Sequence, residues 1–72
     1  MQKYLNKSGN SPITHFHIEN DKITVWFNVD NPYTYSYAGK AGKNNVDIMK
    51  SLAISGKGLS AYITKNVRKS YD

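Results

Sequence analysis

The spacing of apolar and polar positions changes period once along this chain. From Ile13 to Glu19 the residues are β-branched or aromatic at short intervals, and Asn20-Asp21-Lys22 supplies a turn. From Ile23 the alternation is strict: Ile23, Val25, Phe27 and Val29 fall on one side, Thr24, Trp26 and Asn28 on the other. Asp30-Asn31-Pro32 breaks that run, since Pro32 has no N–H to give to a ladder. Tyr33-Thr34-Tyr35-Ser36-Tyr37 then reads as a third strand with its tyrosines on one face. After the loop Ala38-Gly39-Lys40-Ala41-Gly42-Lys43 the period becomes helical. Asn44 or Asn45 can cap the first helix, Val46, Met49, Leu52 and Ala53 form its apolar stripe, and Gly56 is a stop signal. A second helix is expected from about Ser60 to Lys69, with Leu59, Tyr62, Ile63 and Val67 inward and Lys65, Arg68 and Lys69 outward. The order β-β-β-α-α predicts an α+β fold: a three-stranded antiparallel meander with two helices packed on one face. Residues 1–12, rich in polar breakers, read as a flexible lead-in, and 13–72 as one domain.

Composition narrows what such a fold can do. At 72 residues the chain holds one domain with a thin core, too small for a core-lined substrate cavity and a catalytic constellation together. The absence of cysteine removes disulfides, thiolate metal sites and cysteine nucleophiles. The first residues, Met1-Gln2-Lys3-Tyr4-Leu5, lack the apolar core of a secretory signal, and no run approaches the roughly 20 apolar residues of a membrane span. A cytoplasmic location without membrane attachment is therefore the expectation. No serine lies in a Gly-x-Ser-x-Gly turn, and no carboxylate pair is spaced for acid–base work, so no catalytic residue, metal or cofactor is expected. His15 and His17 alone make too few ligands for a metal.

Charge changes the picture more. The net charge is +5, and it is unevenly spread. Through residue 36, Lys3, Lys7 and Lys22 are matched by Glu19, Asp21 and Asp30. The whole excess lies in the loop and helices, where Lys40, Lys43, Lys50, Lys57, Lys65, Arg68 and Lys69 face only Asp47 and Asp72. A concentrated positive field favours a polyanion through counterion release, and Lys40, Lys43, Lys57, Lys65, Arg68 and Lys69 are the candidate phosphate contacts. The bland alternative is a solvated surface that keeps a small protein dispersed. Two Gly-Lys segments, Gly42-Lys43-Asn44 and Gly56-Lys57-Gly58, precede predicted helices, but their spacing is not that of a nucleotide-binding P-loop.

The aromatic residues supply the second ingredient. If the row Ile23, Val25, Phe27 faces the helices, Trp26 lies on the open face, and the parity of the first strand puts His15 and His17 there too. Together they would offer a stacking platform for unpaired bases. Tyr33, Tyr35 and Tyr37 read first as core or core-rim residues; on the opposite assignment of faces, Tyr35 joins Trp26 in one aromatic surface.

Several of these features occur together in a known family. Ser11-Pro12-Ile13 enters a strand, Ile23-Thr24-Val25-Trp26-Phe27 follows a turn, and a Tyr-x-Tyr motif comes next, at Tyr33-Thr34-Tyr35 or Tyr35-Ser36-Tyr37. A helix then ends in Ser55-Gly56-Lys57-Gly58, with Ile63 and Tyr71 beyond. In this the chain resembles the KTSC domain, a module found at the C-terminus of some lysyl-tRNA synthetases and as stand-alone bacterial and phage proteins. The resemblance spans about residues 11–71 and implies the small fold and an RNA-binding role.

The sequence thus points to a small basic module that binds RNA or single-stranded nucleic acid. The alternative is a protein-interaction module, such as a phage or mobile-element protein that binds and inhibits a larger host complex. A homodimer is also open to it, because three strands leave two edges unpaired.

Overall fold

Alternation of apolar and polar residues builds an antiparallel sheet in the computed structural model, which describes every residue except Ser8, Asn10 and Val29. Its strands are β1 (Gln2–Lys3), β2 (His15–Glu19), β3 (Lys22–Trp26) and β4 (Pro32–Ser36), in that spatial order. Ile18 pairs with Ile23 and Phe16 with Val25; across the next ladder Ile23 pairs with Tyr35 and Val25 with Tyr33. One sheet face therefore collects Phe16, Ile23, Val25 and Tyr35, all buried. Val29, expected in the same row, lies outside the described residues. Pro32 opens β4, where a missing N–H costs no ladder bond on the free edge.

The first helix, α1 (Gly42–Ser55), covers that face. Val46, Met49 and Ala53, at three- and four-residue spacing, are its buried residues. It begins before the asparagines expected to cap it: Ala41 holds the cap position, and Asn45 instead donates from Nδ2 to the Ala41 carbonyl at 2.9 Å. Gly56 ends it as expected. Its left-handed φ of 77° turns its N–H back to the Leu52 and Ala53 carbonyls, and a Cβ there would fall 2.6 Å from Leu5 Cβ. The second helical segment is α2 (Leu59–Tyr62), running on into a π-helical turn, Ile63–Val67. Leu59, Ile63 and Val67 point into the core, and Lys65, Arg68 and Lys69 are exposed. The α+β architecture with both helices on one side of the sheet is thus the observed one, with one strand more than expected.

That strand comes from the segment expected to be a flexible lead-in. β1 pairs with β2, and Tyr4, just beyond it, is 2% exposed. Its ring meets Phe16 edge-on, and its hydroxyl accepts the Leu59 N–H, one of the free donors at the start of α2. Asn6 clasps the loop behind it, donating from Nδ2 to the Ser11 carbonyl and accepting the Ser11 N–H, both at 3.1 Å. Lys7 N–H reaches the Gly56 carbonyl at 2.8 Å. Asn6, Lys7 and Ser11 therefore tie down the chain that follows β1, and a single aromatic anchor, Tyr4, draws that strand onto the core. Both sheet edges are partly occupied: β1 lies along β2, and the Asp72 N–H donates to the Thr34 carbonyl of β4 at 2.7 Å.

Candidate functional site

Past the π-helical turn the chain reverses, with Ser70 N–H donating to the Val67 carbonyl at 2.9 Å, and lays Tyr71 against the start of β4. The Tyr71 ring lies 4.7 Å from that of Tyr33, which in turn meets Phe27 edge-on at 5.5 Å. Tyr35 closes the group from below, edge-on to Tyr71. These four rings and Ile63 floor an open cleft of about 400 Å³, and Asn31, Thr64, Arg68 and Lys69 form its rim. Arg68 and Lys69 are exposed, and neither pairs with a carboxylate among the described residues. No lining residue is acidic. Asp72, the next carboxylate along the chain, turns its side chain toward Gly39 and Ser36. Chemically the cleft offers aromatic faces beside two unneutralised cations, a pairing suited to a flat ring that carries an anionic group.

Tyr35 does not serve as an exposed stacking residue. It is 1% exposed, and its hydroxyl is pushed up to about 12, first by burial and then by the neighbouring Tyr33 and Tyr71 hydroxyls. The Ile23–Tyr35 register puts it on the helix-facing side, so the tyrosines do not join Trp26.

The residues expected to form a stacking platform share the opposite face. His15 pairs across the ladder with Trp26, His17 with Thr24, and Thr24 shares a 2.9 Å hydroxyl contact with Thr34. Trp26 and His15 are half-buried and His17 is exposed; His15 Nδ1 is buried without a hydrogen-bond partner among the described residues. However, the helices that carry the basic residues pack on the other side of the sheet. The phosphate candidates and the Trp26 platform therefore do not converge. Sequence parity assigns faces correctly, but it cannot say which basic residues the tertiary fold brings over which aromatic ring.

The remaining cations divide. Lys40, Lys57 and Lys65 are exposed. Lys43 is exposed but engaged: its Nζ donates to Asp47 Oδ2 at 2.7 Å and lies 5.2 Å from the centre of the Tyr37 ring. Lys50, on the other side, donates to the Tyr37 hydroxyl at 2.9 Å and to the Asn20 carbonyl at 3.0 Å. Tyr37 itself donates to Asp47 Oδ1. Hydrogen bonds from Lys43 and then from Tyr37 hold the Asp47 carboxyl below the usual carboxylate range, and the bond to Asp47 raises Lys43. This cluster is internally satisfied.

Phe27, Tyr71, Asn31 and Thr64 were not singled out as site residues by sequence reasoning. Tyr71 is the one with a signal, an aromatic residue close behind the Arg68-Lys69 pair. Among the described residues no three side chains of metal-ligating type come together, and no helix is long and apolar enough to cross a membrane. Comparison with family models, curated proteins and solved structures gives no match, and the resemblance to the KTSC domain stands on the motifs quoted above.

Proposed function

We propose that this chain is a small basic module that binds RNA or single-stranded nucleic acid, of the KTSC kind, acting by binding rather than turnover in a cytoplasmic setting. The observation that carries this reading is the cleft, where Arg68 and Lys69, without a carboxylate partner among the described residues, share one lining with the rings of Tyr33 and Tyr71. Unpaired bases present flat faces to such rings, and phosphates neutralise such cations; a duplex offers the second but not the first. Exposed Lys65, about one turn of chain before Lys69, extends the positive surface from the same helical segment. The test is anisotropy of labelled RNA and single-stranded DNA over a salt series. Binding that weakens steeply with salt, and is lost on Arg68→Glu with Lys69→Glu, is the expected result. No binding of either pool at low salt overturns the reading.

A protein-interaction role rests on a different surface, the sheet face left uncovered by the helices, where Trp26 stands between His15 and Pro32 of the adjoining strands. A stoichiometric protein partner that survives nuclease treatment and is lost on Trp26→Ala would favour it.

A further inference from the structure

We infer that the cleft receives one unpaired nucleotide, its base against the rings of Tyr33 and Tyr71 and its phosphate on Arg68 and Lys69. This rests on the nucleic-acid reading and sharpens it: the binding unit is a single nucleotide seated in a preformed place, rather than a strand lying on a diffuse positive surface.

Three observations support it. The first is size: a space of about 400 Å³ lies in the range of sites for small molecules and has no room for a stacked run of bases. The second is the availability of a ring. Tyr71 is 41% exposed while its partner ring Tyr33 is half-buried behind it, so a base can lie on Tyr71 without parting the two tyrosines. The third is charge. Arg68 and Lys69 are consecutive, exposed and unopposed at the rim, whereas Lys43 and Lys50 at the other end of β4 are already held by Asp47 and Tyr37. An arginine fork beside an ammonium gives two cationic contacts to one doubly charged phosphate, and the ring adds a preference for an aromatic group joined to that phosphate.

The experiment uses the full chain. Ribonucleoside 5′-monophosphates, the same nucleosides without phosphate, and inorganic phosphate alone are titrated in turn, read by calorimetry and by NMR shifts of the tyrosine rings. A labelled single-stranded oligonucleotide is run beside them. Monophosphates should saturate and move the Tyr33 and Tyr71 signals, with nucleoside and phosphate each weaker by about tenfold or more. Tyr71→Ala should weaken monophosphate and oligonucleotide alike by about tenfold, while Tyr71→Phe keeps both. Thr64→Trp, which fills the cleft from its exposed rim, should block the monophosphate without removing a ring or a charge. The inference is overturned if the oligonucleotide binds and responds to Arg68→Glu with Lys69→Glu while monophosphates leave the rings unmoved and Tyr71→Ala is neutral; the broader module would then stand. If monophosphates saturate but no oligonucleotide binds, the nucleic-acid reading falls and the nucleotide site remains. If neither binds, both fall.

Discussion

Each end of β4 carries tyrosine beside paired basic residues, and the two ends differ in what is left free. At the Tyr37 end the charges around the ring are partnered within the chain: Lys43 with Asp47, Lys50 with the Tyr37 hydroxyl and the Asn20 carbonyl, Tyr37 with Asp47. At the Tyr33 end the rings pack on one another, while Arg68 and Lys69 have no carboxylate among the described residues. A count of basic residues treats these ends alike. The difference teaches that charge available for a partner is what remains after internal pairing, and by that measure the free surface of the helical half is narrower than its composition implies.

The largest expected effect comes from the floor of the cleft, between the two ends. Tyr35 lies between them in sequence and is fully enclosed, so Tyr35→Ala should cost about 3–5 kcal/mol by urea unfolding. A loss under about 1 kcal/mol would mean that the inner face is loosely packed and that the cleft has no rigid floor. Next in size is the charge contrast itself. Arg68→Glu with Lys69→Glu should weaken oligonucleotide binding about 100-fold at low salt, and neutralising the pair should reduce the salt slope by roughly 0.7 per lost phosphate contact. Lys43→Gln should change affinity by less than about threefold, because its charge is already spent on Asp47. Equal losses at the two ends would break the comparison.

The hydroxyls separate the ends more finely. Tyr37→Phe removes a donor to Asp47 and an acceptor for Lys50 and should destabilise by about 1 kcal/mol. Tyr71→Phe, whose hydroxyl has no partner among the described hydrogen bonds, should leave the thermal midpoint unchanged. The smallest effect lies in pH dependence. Because the Asp47 carboxyl is held low in the folded state, its contribution is present at neutral pH and fades as the pH falls below the ordinary carboxylate value toward the lowered one. Asp47→Asn should therefore lose less stability than the native chain on acidification. Tyr35 runs the other way: its raised value keeps its contribution whole up to the ordinary tyrosine range, to be lost as the pH climbs through about 12. A tyrosinate absorbance titration should show a component near pH 12 that Tyr35→Phe removes.

Much of the fold is legible in the sequence because its period is clean. Ile23, Val25 and Tyr35 alternate, Val46, Met49 and Ala53 follow a helical stripe, and Gly56 stands where a left-handed residue is needed. β1 is not legible: two polar residues carry no period, and Tyr4 earns its place through contacts with Phe16 and Leu59, which are distant in sequence. The site was half legible. Arg68 and Lys69 stand out as outward charges, and the parity of Trp26, His15 and His17 is correct. What places Arg68 beside the cleft of Tyr33 rather than beside Trp26 is the choice of sheet face by the helices and the reversal after Val67. Neither leaves a mark in local spacing.

The hydrogen bond from the Leu59 N–H to the Tyr4 hydroxyl joins residues 55 positions apart. Closing so long a loop costs chain entropy that only an already formed core can offset, which makes the Tyr4–Leu59 contact a late event on the folding pathway. A substitution at Tyr4 then acts mainly on the lifetime of the native state: Tyr4→Ala should steepen unfolding in stopped-flow experiments while leaving the refolding rate nearly unchanged. A fall in the refolding rate as large as the rise in unfolding would instead put Tyr4 in the nucleus.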